Sequence, residues 1–216
     1  MKRFLVALAA TLAAGCSTVA ERPTLPQDPS VAWRARQSRL STVDVWEIQG
    51  RISARTATEG WQASLRWVRD GERHSIDLWG PLGRGHVQLT QDDSGARLRD
   101  ANNRTYSADT SQQLLLDTTG WRLPLEGLIY WVLGLPVPGV PATQVLDDSG
   151  RLKSLDQLGW QVRFLRYKRR GGYEFPGKLV MRRRLTSADP QTADGSESNG
   201  PLLEVRLVIE RWSTVR

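Results

Sequence analysis

From Trp46 towards the C-terminus the chain repeatedly alternates apolar and polar residues. That period of two most constrains the fold, because only a pleated strand sends successive side chains to opposite faces. Trp46, Ile48, Gly50, Ile52 and Ala54 alternate with Glu47, Gln49, Arg51 and Ser53, and Trp61, Ala63, Leu65 and Trp67 alternate with Gln62, Ser64 and Arg66. Asp70-Gly71 predicts a tight hairpin into a strand over 75–79. After the turn Gly80-Pro81-Leu82-Gly83, residues 86–90 alternate again, Asp93-Ser94-Gly95 turns the chain, and 96–99 return. Later runs centre on Trp160, Val162 and Phe164, on Leu179, Met181 and Arg183, and on Leu203, Val205, Leu207 and Ile209.

Helical signals interrupt this pattern. Trp33, Gln37 and Leu40 share one face of a short amphipathic helix over 31–44, with Trp33 and Leu40 as its only large anchors. Asp109 is placed to cap a helix through 111–116 that ends near Gly120. Pro124 suits the first position of a second, 125–133, ended by Gly134. Residues 135–141, with three prolines, are a loop, and the small polar stretch 187–200 reads as a mobile hairpin loop without function. Many short antiparallel strands and a few buried helices predict a mainly β fold, a strongly curved sheet or incomplete barrel with helices against its open side.

The N-terminus predicts the compartment. Lys2 and Arg3 precede an apolar run over 4–12, too short to remain as a membrane-spanning helix, and small residues follow. Residues 1–15 read as a signal peptide. Leu12-Ala13-Ala14-Gly15-Cys16 resembles a bacterial lipobox, which makes Cys16 the expected lipidation site and Ser17 an outer-membrane sorting residue. Pro23, Pro26 and Pro29 mark 16–30 as a tether, leaving one domain over 31–216.

Composition removes other classes. A single cysteine among 216 residues forms no internal disulfide, and with only two histidines beside it there is no zinc framework. The net charge of +7 admits nucleic acid, anionic membrane or acidic ligand as partner. The export signal argues against nucleic acid. His74 and His86 sit in no catalytic motif and read as solvent-facing strand residues. Asp92-Asp93 and Asp147-Asp148 read as turn formers, and no phosphate-binding glycine loop is present, so an enzyme is not expected. Arg182-Arg183-Arg184 and Lys168-Arg169-Arg170 read as solvated charges, with anionic lipid as a candidate partner.

Nine tryptophans is a high count, and Trp46, Trp61, Trp67 and Trp160 fall on the apolar sides of their strands, which admits two readings, a large-residue core or a cavity for a hydrophobic ligand. A family resemblance separates them. The lipobox, Trp33 in its arginine-rich helix, Trp46-Glu47-Ile48-Gln49-Gly50-Arg51, Leu65-Arg66-Trp67, Gly80-Pro81-Leu82-Gly83, Leu123-Pro124-Leu125, the run 130–136, Gly159-Trp160-Gln161-Val162 and Ile209-Glu210-Arg211-Trp212 occur in order. This series resembles the outer-membrane lipoprotein receptor LolB family. The resemblance implies an open antiparallel β-barrel with helices covering an apolar cavity. It also implies a monomeric receptor, anchored through Cys16 at the periplasmic face of the outer membrane. Such a receptor takes acylated lipoproteins from the carrier LolA and inserts them among outer-membrane phospholipids, without cofactor, metal or nucleic acid. On that pattern Trp33, Trp67, Trp131 and Trp160 are expected to line the acyl-chain cavity, and Pro81, Leu82 and Gly83 to form a membrane-inserting loop. The alternative is a structural envelope lipoprotein that binds no acyl chain.

Overall fold

The computed structural model describes residues 28–83, 85–119, 123–186 and 200–214. The signal peptide, Cys16 and nearly all of the 187–200 stretch lie outside the described residues. Helix α1 (Pro29–Leu40) leads into strands β1 (Val45–Arg55), β2 (Gly60–Asp70), β3 (Arg73–Trp79), β4 (His86–Asp92), β5 (Gly95–Arg99) and β6 (Thr105–Ala108). Helices α2 (Ser111–Thr119) and α3 (Leu125–Trp131) follow. Strands β7 (Thr143–Leu146), β8 (Leu152–Gln157), β9 (Trp160–Arg170), β10 (Tyr173–Arg184) and β11 (Leu202–Thr214) complete the described chain.

All the strands join one antiparallel sheet in the order β6-β5-β4-β3-β2-β1-β11-β10-β9-β8-β7. The chain starts at the centre, meanders out to the β6 edge and crosses to the other edge through α2 and α3. It then meanders back until β11 pairs with β1, Trp46 opposite Thr214 and Arg55 opposite Glu204. The sheet does not close, since β6 and β7 are both edges. The fold is therefore the open, mainly β barrel that the alternation predicts.

A register shift between Gln49 and Gly50 bends the central β1–β11 pair. A Cβ at Gly50 would stand 2.0 Å from the Val208 carbonyl oxygen, so only glycine admits this approach of the two backbones. The apolar sides of the strands form one continuous core, from Trp46 and Ile48 in β1 to Leu155, Val162, Leu179 and Val205 across the second half.

Helix α1 starts at Pro29, two residues inside the expected tether, and ends at Leu40 rather than near 44. Asp28 caps it by accepting from the Ser30 N–H at 2.8 Å, and Pro29 sits in the first turn, where a missing N–H costs no helical bond. At the other end the Ser41 and Thr42 hydroxyls bond the carbonyls of Ser38 and Arg39. Trp33 and Leu40 are its buried anchors, as the spacing predicts. Arginines do the remaining docking. Arg36 and Arg39 donate to the carbonyls of Glu174 and Gly172 in β10 and its turn, and lie over the rings of Tyr167 and Tyr173.

The crossing helices depart from expectation in their caps. Thr110, not Asp109, caps α2, accepting from the Gln113 N–H at 3.2 Å, while the Ser111 N–H goes to Gln91 Oε1 in β4. Pro124 is the cap of α3 rather than its first residue, and Gly134, at φ 77°, follows its last turn. There the Leu135 N–H reaches back to the Tyr130 carbonyl and the Gly134 N–H to that of Trp131.

Candidate functional site

Under α2 and α3 the first half of the sheet does not fill its own interior. A cavity of about 320 Å³ remains, at the small end of the roughly 300–1,000 Å³ usual for ligand pockets. Ile52, Ala63, Leu65, Ile76, Val87 and Leu89 rise from β1–β4, and Leu115, Leu125 and Leu128 come down from the helices. Trp61 and Trp67 form its aromatic wall, and Leu207 of β11 completes it. Among the described residues the lining is apolar side chains and glycine. It carries no polar group that would fix the orientation of a polar ligand. No residue of β7–β10 contributes, because that half is filled by its own side chains.

The expected cavity tryptophans therefore separate. Trp67 lines the cavity. Trp33 packs beneath α1, Trp131 ends α3 and Trp160 begins β9, buried to 4%, 0% and 3% exposure outside the lining. Trp131 donates from Nε1 to Gln157 Oε1 at 3.1 Å, and the Arg183 guanidinium lies 5.4 Å over the Trp160 ring. Arg183 is half-buried on the inner side of β10, which corrects its expected place in a solvated triplet. Trp61 lines the cavity although no motif marked it; the signal was its position in the same alternating run as Trp67.

Aromatic packing holds the Trp67 wall. Its ring meets Trp46 edge-on at 5.1 Å, Trp46 meets Trp212 at 5.8 Å, and Trp212 stacks on Phe175 at 4.4 Å. Trp67 Nε1 donates to His74 Nδ1 at 3.3 Å. Burial, with the nearby Arg69 charge second, pushes the His74 pKa down to about 4, so the ring is neutral and free to accept. His74 is thus a support of the wall, not the solvent-facing residue expected from its strand.

The Gly80-Pro81-Leu82-Gly83 turn stands at the cavity's rim. Gly80 and Gly85 both line the cavity, and the Gly80 N–H donates to the Gly85 carbonyl at 3.2 Å, closing the neck of the loop. Residues Pro81–Gly83 form one 3-10 turn, and Pro81 and Gly83 are exposed. The positive φ of Gly83 and Gly85, 73° and 68°, is what lets the chain reverse there. On the outer face the neck is stapled. His86 Nε2 donates to the buried Asp77 at 2.8 Å, Gln88 Nε2 donates to the same oxygen at 3.1 Å, and Trp79 stacks on the His86 ring at 5.2 Å. His86 too is no ordinary solvent-facing residue. The carboxylate pairs behave as turn formers: Asp92 accepts from Ser94, and Asp147 from the backbone of Ser149 and Arg151.

The fold and the sequence both have counterparts. A solved LolA superfamily protein from Nitrosomonas europaea superposes with a TM-score of 0.51, at 9% identity, covering 85% of this chain and 93% of its own. The outer-membrane lipoprotein LolB of Nitrosococcus oceani is 34% identical over 209 residues, 96% of this chain and 95% of the relative. The protein of the same name from Pseudomonas putida is 36% identical over 203 residues, covering 93% and 90%. Residues 44–212 match the family profile described as outer membrane lipoprotein LolB, a span that takes in the cavity and its loop, and this chain belongs to that family.

Proposed function

We propose that the chain is an outer-membrane-anchored receptor that accepts lipoproteins from the carrier LolA, holds their acyl chains in the apolar cavity and releases them into the inner leaflet of the outer membrane. The observation that carries this reading is a cavity lined, among the described residues, by apolar side chains and glycine, with its rim at the neck of the exposed turn. Each methylene left in water costs about 0.8 kcal/mol, so an acyl chain crossing an aqueous compartment needs such a container. Release beside Pro81–Gly83 would place the chain where that turn, with Leu82 at its tip, enters the bilayer. Transfer needs no covalent step; it runs down a gradient of affinity from carrier to receptor to membrane. Cys16, acylated after removal of residues 1–15, would keep the domain at that membrane on the 16–30 tether.

Leu125 and Leu128 of α3 face the cavity and Trp131 ends the same helix, so a shift of α3 on loading would bring Trp131 towards the acyl chains, with Trp160 and Trp33 beyond it.

The test is a titration of the chain carrying Cys16→Ala with a fluorescent acyl probe, followed by competition with an acylated lipoprotein peptide. Saturable binding displaced by the acylated peptide, and not by its unacylated form, is expected. Ala63→Phe, which fills the space between Trp61 and Leu65, should weaken it at least tenfold. Leu82→Glu should leave binding intact and stop deposition into vesicles. No binding by the folded chain would overturn the proposal in favour of a structural envelope lipoprotein, and equal deposition by Leu82→Glu would remove the role of the loop.

A further inference from the structure

The apolar cavity has an outer counterpart, and the two share Ile52, Ala63 and Gly80 in their walls. On the opposite face of β1, β2, β10 and β11 lies a groove of about 740 Å³, with Gly80, Pro81 and Gly83 as its end wall. Strand register builds its floor. Trp79 stands opposite Ser64, Ser64 opposite Arg51, Arg51 opposite Val208, and Val208 opposite Lys178. One row of side chains thus runs from an indole beside the turn to an ammonium on the far wall, and Arg206 lies in the row next to it.

The charges on this face do not cancel. Glu204, with its side chain only 5% exposed, takes ion pairs from Arg55 at 2.8 Å, Arg182 at 2.6 Å and Arg206 at 2.6 Å. One carboxylate therefore answers three guanidinium groups. Burial would raise the Glu204 pKa, but the hydrogen bonds from Arg182 and Arg206 outweigh it and hold the group below the usual carboxylate range, so it stays ionised. Arg51 is matched by Glu210 at 3.0 Å, and Lys178 has no carboxylate partner among the described residues. The result is a positive groove with an aromatic side chain at the end nearest the turn.

We propose that this groove is a headgroup site, which takes the phosphodiester of an anionic glycerophospholipid in the membrane that the 80–85 loop enters. The inference rests on the proposed deposition into a bilayer. With the turn in the acyl region, the groove that begins at its base lies at headgroup depth. Guanidinium and ammonium groups recognise phosphate oxygens there, and an indole at the interface is a membrane anchor. Acyl chains would then leave the inner cavity on one side of Gly80 while a resident lipid's phosphate holds the other side.

The test is flotation of the Cys16→Ala chain with vesicles of phosphatidylethanolamine alone, or of equal parts phosphatidylethanolamine and phosphatidylglycerol. Binding should require phosphatidylglycerol. Lys178→Gln should lower it about fivefold, the value of one cation near an anionic surface, and Lys178→Gln with Arg51→Gln at least twentyfold. Arg34→Gln, which removes the same charge from the exposed side of α1, should change it less than twofold. Equal losses for Lys178→Gln and Arg34→Gln would reduce the effect to net charge and overturn the groove. Binding indifferent to phosphatidylglycerol would overturn it too, leaving an acidic protein surface as the occupant. Acyl-probe binding, measured in parallel on each variant, reports on the cavity separately: failure of the groove leaves probe binding unchanged, whereas failure of the receptor reading abolishes it in the parent chain.

Discussion

His74 shows how one residue couples the cavity wall to solution conditions. Its ring accepts the Trp67 indole N–H only while neutral, and its folded pKa of about 4 lies below the ordinary 6.5. Above pH 6.5 neither the folded nor the unfolded chain carries the proton. Between 6.5 and 4 the unfolded chain takes it up and the folded chain does not, so stability falls as pH falls through that window and levels off below it. The urea midpoint of the parent chain should therefore drop between pH 7 and pH 4. His74→Gln keeps an acceptor for the indole without a titrating group, and its midpoint should be measurably flatter over the same range. Identical slopes would show that His74 does not govern the acid sensitivity. None of this was legible in the residue type, which marks no face of a strand; His74 lies in phase with the inward Ile76 and Leu78, and its burial comes with Trp67, diagonal to it across the β2–β3 pair.

At the scale of elements, a buried amide fixes the end of α3. Gln157, at the end of β8, accepts from Trp131 Nε1 and from the Val137 N–H through Oε1, and donates through Nε2 to the carbonyls of Val137 and Val140. It ties the end of α3 to a proline-rich loop that cannot satisfy itself with secondary structure. Gln157→Leu would leave the buried Trp131 indole and the part-buried Val137 and Val140 groups without these bonds, and should cost about 3 kcal/mol, read from chemical denaturation. A loss below about 1 kcal/mol would mean that the loop finds other partners. The loop was readable from its prolines, and the long strands from their period of two. Gln157 was not readable, because a lone polar residue in a short segment carries no period. Strands β6, β7 and β8 escaped for the same reason. β6 and β7 have four residues each, and in β8 Leu152 and Leu155 fall out of phase with each other. The tryptophans divide along the same line. Their strand faces were visible in the alternation, but whether an indole borders empty space depends on what lies across the sheet, which decided between Trp67 and Trp160.

For the whole molecule the strand order is what the sequence conceals, since local patterning says nothing of which strands become neighbours. The sheet is two meanders, β1–β6 and β7–β11, joined by helices at its edges and by the β1–β11 pair at its centre. That central pair also supplies Leu207 to the cavity and Glu204 and Arg206 to the outer face. Removing residues 200–216 should therefore abolish the cooperative unfolding transition and the near-ultraviolet signal of the tryptophans, rather than merely lower the melting temperature. A truncated chain that still melted cooperatively would show that one meander folds alone.

The β1–β11 pairing also sets a clock. Contacts between segments so far apart in sequence form slowly, because the loop between them must close before its ends gain anything. A chain delivered across a membrane from its N-terminus has β1 in the new compartment long before β11 arrives. Until the last strand emerges, β1 has a partner on one side only and the core stays unfinished. If residues 1–15 direct export, such a seam would leave the final folding step to the compartment that receives the last strand.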